Sequence, residues 1–213
     1  MRSAGVEQSV FIRGPVGQIE ARWMPAADDM APVAVVCHPH PLHGGSMDNK
    51  VVTTLVRAWR DAGMATLRFN FRGTGLSEGQ HAHGEGEIDD LLAVAGWLSK
   101  EGFDSLCLAG FSFGAWVAAA AVPRLPAEWR LERLVLVAPP VQYSGFRDIQ
   151  LPEGTLVLQG DEDEVVDPAA VREWVLSRSL PPELIVFPGA GHFFHGRLTA
   201  LKAELGARLG RHV

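Results

Sequence analysis

Gly-Phe-Ser-Phe-Gly, at residues 110–114, is the stretch that decides the fold of this chain. The apolar run at residues 105–109 precedes it and predicts a buried strand, and the alanine-rich run from Ala115 predicts a helix. A G-x-S-x-G pattern between a strand and a helix is typical of a sharp turn that carries a nucleophilic serine. The glycines let strand and helix backbones pass close together, and the strained turn exposes the Ser112 hydroxyl.

The rest of the chain alternates predicted strands and helices around this turn. Residues 6–12 and 18–24 predict an antiparallel hairpin at one edge of a sheet. From Pro32 onward, the alternation predicts a mostly parallel sheet with helices on both faces, which makes eight strands in all. The predicted core strands cover residues 33–37, 65–71, 105–109, 134–138, 155–159 and 184–187.

A nucleophilic serine needs a base to take its proton and a third group to orient that base. The strand at residues 155–159 ends before Asp161, Asp163 and Asp167, and the strand at residues 184–187 ends before His192. The resulting order of serine, acid and histidine is the one used by α/β-hydrolases. Spacing alone leaves Asp161 and Asp163 open, whereas Asp167 precedes Pro168 and is typical of a helix N-cap.

The chain resembles the α/β-hydrolases, and among them the small lidless bacterial serine hydrolases of the dienelactone-hydrolase-like group. The resemblance rests on the segments at residues 38–49 and 70–79, on the serine turn, and on the pair Asp163 and His192. It implies an α/β-hydrolase fold and a catalytic triad of Ser112, Asp163 and His192. In that family the acid usually ends a G-x-x-D pattern that follows a core strand, which selects Asp163. The catalytic histidine usually lies in a glycine-rich loop, which selects His192 over His195.

The resemblance also implies an oxyanion hole of two N–H donors. One is the backbone N–H of Phe113, the residue after the nucleophile. The other comes from the loop after the third strand, where Pro39 and Pro41 have no N–H to donate. His40 aligns with the usual donor position, and Leu42 is the alternative.

Histidines are frequent near this site but do not predict a metal. Three lie in the loop after the third strand, and His81 and His83 add two more. Their spacing matches no common metal motif, so we expect neither a metal nor a cofactor. We expect His38 and His43 to anchor their loop by hydrogen bonds, and Arg72 to brace neighbouring loops.

Size, charge and cysteine content bound the remaining choices. A length of 213 residues suits a single α/β-hydrolase domain at residues 1–213, and residues 139–154 are too few for an inserted lid. The net charge of −6 and the lack of a basic cluster argue against nucleic acid as a partner. Residues 1–8 lack the apolar stretch of a signal peptide, so we expect a cytoplasmic protein with no membrane partner.

Cys37 and Cys107 lie in apolar runs and predict buried, unpaired thiols.

The sequence therefore predicts a serine hydrolase that cleaves carboxylic esters of small to medium acyl groups through an acyl-enzyme, with a small-molecule ester as its partner. A thioesterase or an acyltransferase would use the same triad, and a non-catalytic binding protein could share the fold. The oligomeric state and the natural substrate stay open. Candidate apolar walls of the pocket are Leu42, Met47, Phe113, Trp116, Tyr143, Phe146, Phe193 and Phe194.

Overall fold

The chain folds around one sheet of eight strands, which the computed structural model describes at residues 6–26 and 31–209. In chain order the strands are β1 (Gln8–Arg13), β2 (Gln18–Met24), β3 (Val33–Cys37), β4 (Ala65–Phe69), β5 (Ser105–Phe111), β6 (Arg130–Val137), β7 (Leu156–Gly160) and β8 (Glu183–Phe187). Across the sheet their order is β1-β2-β4-β3-β5-β6-β7-β8. β2 pairs antiparallel with β1 and β4, and the pairs from β4 to β8 are parallel. The predicted sheet and its N-terminal hairpin are confirmed.

Helices cover both faces of the sheet, as the alternating pattern predicted. They are α1 (Lys50–Asp61), α2 (Glu85–Lys100), α3 (Phe113–Ala121), α4 (Ser144–Arg147), α5 (Pro168–Leu176) and α6 (Leu198–Leu209). The apolar sides of α2, α3 and α5 belong to one core cluster, and those of α1 and α6 belong to a second cluster across the sheet. None of the helices in the described ranges has the length and apolar content needed to cross a bilayer.

Some strand ends differ from the predicted ones: β4 stops at Phe69 instead of residue 71, whereas β5 and β6 are longer than predicted. β5 continues to Phe111 because Gly110 and Phe111 pair with Leu136 and Val137 of β6. β6 begins at Arg130, opposite Ser105, although its first residues are partly exposed and lack an apolar pattern. These differences arise because hydrogen bonding between neighbouring strands, rather than the apolar run, sets where a strand ends.

The helix boundaries follow the signals in the sequence. Asn49 caps α1 by accepting a hydrogen bond from the N–H of Val51, and Gly63 follows the helix with a φ of +87°. Asp167 caps α5 in the same way through the N–H of Ala169, at 2.9 Å. The predicted role of Asp167 as an N-cap is therefore confirmed.

The chain between β6 and β7 is too short to form a lid domain. It contains only the single-turn α4 and connecting loops. Cys37 and Cys107 are buried and unpaired, as predicted, and burial raises the pKa of both thiols. Residues 1–5, which belong to the stretch considered for a signal peptide, lie outside the described residues.

A buried ion pair ties the loop after β4 to α2. Arg72 donates hydrogen bonds from Nε and Nη2 to the carboxylate of Asp90, and its backbone N–H donates a further one at 2.9 Å. The Asp90 side chain is completely buried and that of Arg72 is 9% exposed. Arg72 therefore has a structural role, as expected, but it braces its own loop against a helix rather than against another loop.

We predict that Asp90→Ala destabilises the protein by about 3–5 kcal/mol, because it leaves a buried guanidinium without its counter-charge. The adjacent Asp89 provides a matched control, since it pairs with Arg124 at the exposed surface of the same helix. Asp89→Ala should cost less than about 1 kcal/mol. Urea denaturation measures both, and equal losses in the two variants would contradict this role of the Arg72–Asp90 pair.

Candidate active site

The carboxyl ends of the parallel strands meet at one edge of the sheet, and the predicted site residues follow those ends. His40 follows β3, Ser112 follows β5, Asp163 follows β7 and His192 follows β8. Ligands of open α/β sheets bind outside the carboxyl ends of the strands. The topology therefore brings four distant parts of the sequence to one edge.

Ser112 lies in a strained backbone conformation between β5 and α3. Its φ is 54° and its ψ is −118°, a region that a residue with a Cβ rarely occupies and that costs about 1–3 kcal/mol. The Ser112 N–H donates a hydrogen bond to the carbonyl of Val137 at 2.8 Å, which fixes the turn against the end of β6. The strain predicted from the sequence is present in the fold.

Both glycines of the motif are required by close backbone contacts. A Cβ added at Gly110 would lie 2.0 Å from the carbonyl oxygen of Gly114. A Cβ at Gly114 would lie 2.4 Å from the carbonyl oxygen of Cys37 and 2.5 Å from that of His38. Because these contacts are with backbone atoms, no side-chain movement could relieve them. α3 therefore packs directly against the ends of β5 and β3.

Asp163 and His192 form a buried hydrogen-bonded pair. The Nδ1–H of His192 donates to Oδ2 of Asp163 at 2.9 Å, and the two side chains are 3% and 0% exposed in the order His192, Asp163. Oδ1 of Asp163 accepts hydrogen bonds from the N–H groups of Val165 and Val166. Burial raises the pKa of Asp163, but the hydrogen bonds from His192, Val166 and Val165 outweigh it, so the net pKa lies below the ordinary value. The carboxylate is therefore ionised and oriented at neutral pH.

The other two candidate acids have different tasks. Asp161 accepts a hydrogen bond from the N–H of Gly189 at 2.7 Å, which joins the loop after β7 to the loop after β8. Asp167 caps α5, as described above. Among the three, Asp163 is the carboxylate that bonds to His192.

Two residues that support this pair were missed in the sequence analysis. Gln159 donates from Nε2 to Oδ2 of Asp163 at 2.9 Å, and Glu164 accepts the backbone N–H of His192 at 3.0 Å. Gln159 gave a usable signal in the sequence, since it is a polar residue at the end of an apolar run. In the structure its side chain is buried, and the residue is 1% exposed. Glu164 gave none, because it is one of several acidic residues in a row.

Ser112 and His192 line the same hollow, which has a volume of about 170 Å³. Phe193, Val165 and His40 are also among its lining residues. The structure thus brings together the serine, the histidine and, behind the histidine, the acid. Their roles in a reaction remain predictions.

The two proposed oxyanion donors border this site. Phe113 is the first residue of α3, so its N–H has no acceptor within the helix, and His40 lies next to Pro39 in the loop after β3. Within the described ranges, neither N–H donates a hydrogen bond to another residue of the chain. The alternative donor, Leu42, is already occupied, because its N–H donates to Nδ1 of the His40 ring at 3.2 Å.

His38 anchors the loop that carries His40. Its Nδ1–H donates to the carbonyl of Pro39 at 2.6 Å, and its Nε2 accepts the N–H of Phe71 at 3.0 Å. A second proton would place two N–H groups against each other at Phe71, so these partners require the neutral ring. Burial lowers the pKa of His38 to about 4. The predicted anchoring by His38 is confirmed.

Four other histidines near the site contact one another through their rings. The ring of His43 stacks on that of His40 at 4.5 Å, which differs from the hydrogen-bonded anchor expected of His43. His81 lies 4.9 Å from His40 and 5.1 Å from His83, measured between ring centroids. In the described parts of the chain, no three histidine, cysteine or acidic side chains are arranged to hold a metal ion.

The candidate apolar walls divide into site and core residues. Phe113, Trp116, Tyr143 and Phe193 line hollows at the site, and Leu42 lines an adjoining one. Met47, Phe146 and Phe194 are buried in the interior. The structure therefore separates the aromatic residues that line hollows at the site from those that lie in the core.

Comparisons with known proteins agree with this geometry. The family model described as serine aminopeptidase, S33, matches residues 32–147 of the chain. An uncharacterized protein of Rickettsia prowazekii (strain Madrid E) is 37% identical over 196 residues, which cover 87% of this chain and 81% of that protein.

Solved structures give the same result for the whole fold. An α/β serine hydrolase without a lid from Xanthomonas campestris is 40% identical, with a TM-score of 0.86 over 97% of this chain and 95% of that one. An α/β serine hydrolase homologue from Coxiella burnetii is 42% identical, with a TM-score of 0.89 over 98% of this chain and 100% of that one. The similarity to a hydrolase without a lid matches the short segment between β6 and β7.

We predict that His38 makes folding sensitive to acid. Its pKa is about 4 in the folded protein and about 6.5 in an unfolded chain, so between these values the unfolded chain binds the extra proton. The contribution of His38 to stability is therefore complete above pH 6.5 and is lost as the pH falls toward 4, a change of roughly 3 kcal/mol.

The measurement is urea denaturation between pH 7.5 and 4.5 on the wild type, His38→Gln and His43→Gln. Glutamine cannot take up the proton, so the stability advantage of the wild type over His38→Gln should shrink as the pH falls. His43→Gln is the control at the exposed end of the same loop, and its difference from the wild type should change much less. A difference between wild type and His38→Gln that does not vary with pH would contradict the assignment.

Proposed function

This chain belongs to the α/β-hydrolase family of serine hydrolases that the serine aminopeptidase model describes, and from that membership we propose that it hydrolyses carboxylic esters through an acyl-enzyme at Ser112. One observation carries the proposal. The buried Asp163–His192 pair faces the hollow that the strained Ser112 also lines. Serine, histidine and acid in this arrangement perform acyl transfer on several unrelated folds.

In the proposed reaction, Oγ of Ser112 attacks the ester carbonyl while Nε2 of His192 takes the hydroxyl proton. Asp163 keeps Nδ1 protonated and stabilises the imidazolium that forms. The tetrahedral oxyanion accepts hydrogen bonds from the N–H groups of His40 and Phe113, which have no other acceptor among the described residues. Collapse of the intermediate breaks the bond to the alcohol oxygen, which receives the proton from His192.

Deacylation repeats these steps with water. His192 takes a proton from the water, whose oxygen attacks the acyl carbonyl, and then returns a proton to Oγ of Ser112. The products are the free acid and the alcohol, and the enzyme returns to its starting state. The reaction consumes only the ester and one water molecule.

The lining of the site favours esters over the peptides that the family description suggests. An aminopeptidase must recognise a free substrate ammonium, for which a carboxylate is the natural partner. Among the described residues that line the hollow at Ser112 and the cleft beside it, there is no aspartate or glutamate. Esters and thioesters carry no ammonium that must be bound, so both are compatible with the same acyl-enzyme. The same holds for an acceptor alcohol that would take the acyl group from it.

Ser112→Ala should lower kcat by about 10⁴-fold or more on p-nitrophenyl esters, because the nucleophile is lost while the turn keeps a side chain of similar size. It should also stop reacting with a fluorophosphonate probe. A panel of esters graded by acyl length measures the rate. Ser177→Ala, at the end of α5, is the control variant and should retain the rate of the wild type. Substantial esterase activity and probe labelling in Ser112→Ala would rule out Ser112 as the nucleophile.

Asp163→Asn should lower kcat by up to about 10⁴-fold, because an amide cannot hold the histidine in the required tautomer. Asp161→Asn should have a small effect, since an asparagine oxygen can still accept the N–H of Gly189. Asp167→Asn should be mild as well, because asparagine also caps helices. Steady-state kinetics on one ester decides the matter, and the assignment fails if Asp161→Asn is the crippling change while Asp163→Asn stays active.

A further inference from the structure

Two hollows at the site share His40 in their lining. The first contains Ser112 and extends toward His192 and Phe193. The second is larger, about 430 Å³, and the described residues that line it do not include His192. We call this second hollow the aromatic cleft, and its lining consists of His40, His81, His83, Phe113, Trp116, Tyr143 and Gly145.

The walls of the aromatic cleft are flat rings at defined angles. Phe113 and Trp116 meet edge to face at 5.7 Å and 86° between their planes. Trp116 and Tyr143 lie 6.1 Å apart at a tilt of 38°. Phe113 is 3% exposed and Tyr143 is 46% exposed, so the cleft has a buried inner end and an open outer one.

Trp116 is held in place by the backbone of Gly84. A Cβ added at Gly84 would lie 2.6 Å from Cη2 of Trp116 and 2.7 Å from Cζ3, so the ring lies directly against the glycine. The φ of Gly84 is +102°, which also favours glycine there. A wall fixed in this way binds a ligand without first losing side-chain freedom.

The lining of the cleft is mostly uncharged, and Nδ1 of His81 lies 2.9 Å from the carboxylate of the buried Glu87 behind it. Among the described residues that line it there is no lysine, arginine, aspartate or glutamate. Burial, together with the neighbouring His43 and His81, lowers the pKa of His40, so its ring is uncharged at neutral pH. The lining is therefore suited to an uncharged group with π-faces.

The proposed reaction decides which half of the ester lies in the cleft, so this step rests on the proposed function. His192 must protonate the leaving alcohol, which places the alcohol in the hollow beside His192 and Phe193. The rest of the acyl chain is then assigned to the aromatic cleft, whose lining includes both proposed oxyanion donors, His40 and Phe113.

We propose that the aromatic cleft is the acyl-binding subsite and that it selects uncharged acyl groups bearing a planar aromatic ring. Trp116 and Tyr143 are the specificity-determining residues. An aromatic ring gains edge-to-face and offset contacts with these walls in addition to the burial of its area. A saturated ring of the same size gains only the burial, so the enzyme discriminates between the two.

The test compares 4-nitrophenyl 3-phenylpropanoate with 4-nitrophenyl 3-cyclohexylpropanoate. The two esters share their alcohol and have carbonyls of nearly equal reactivity, because two methylenes separate the ring from the carbonyl. We expect kcat/KM of the wild type to favour the phenyl ester by about tenfold, the size of effect that aromatic contacts produce. Trp116→Leu and, independently, Tyr143→Leu should bring this ratio close to unity, with folding checked by circular dichroism.

Phe11→Leu is the matched control, because Phe11 is an exposed aromatic residue on β1, 51% exposed and outside the cleft. It should leave both rate and ratio unchanged. A wild type that hydrolyses both esters with equal kcat/KM, or a ratio that both cleft variants retain, overturns the inference and leaves the proposed function intact. A wild type that hydrolyses neither ester and takes up no fluorophosphonate overturns the proposed function and this inference with it.

Discussion

The contact between the backbone of α3 and the ends of β5 and β3 is the constraint on which the site depends. Only glycine fits at residues 110 and 114, since an added Cβ would meet backbone atoms at 2.0 and 2.4 Å. This packing holds Ser112 at a φ of 54°, which no local preference of serine would maintain. It also leaves the N–H of Phe113 at the open end of α3. One close contact therefore positions both the hydroxyl and a hydrogen-bond donor.

The other loops of the site are tied to one another by hydrogen bonds to backbone groups. His38 links the loop after β3 to Phe71, and Asp161 links the loop after β7 to Gly189. Glu164 holds the backbone of His192 directly. These links fix the positions of the loops before any substrate arrives, which is the condition under which dipoles and hydrogen-bond donors stabilise a transition state efficiently.

Much of this arrangement could be predicted from the sequence because it depends on local patterns. Apolar runs marked the core strands, and the proline after Asp167 separated a helix cap from the other acids. The choice between Asp161 and Asp163 could not be derived from spacing, because it depends on how the loops after β7 and β8 meet. The same holds for Glu164, whose partner His192 lies 28 residues further along the chain. His43 was misjudged because a ring stack between loop residues leaves no periodic signal.

The central claim is that Ser112 carries the acyl group, and mass spectrometry of a quenched reaction tests it most directly. The wild type is mixed with a slowly deacylating ester, quenched in acid within the first turnover and digested. The account predicts a mass increase equal to the acyl group on the peptide that contains Ser112, and its disappearance as the reaction completes. Ester hydrolysis that proceeds without this adduct, or an adduct on a different residue, would contradict it.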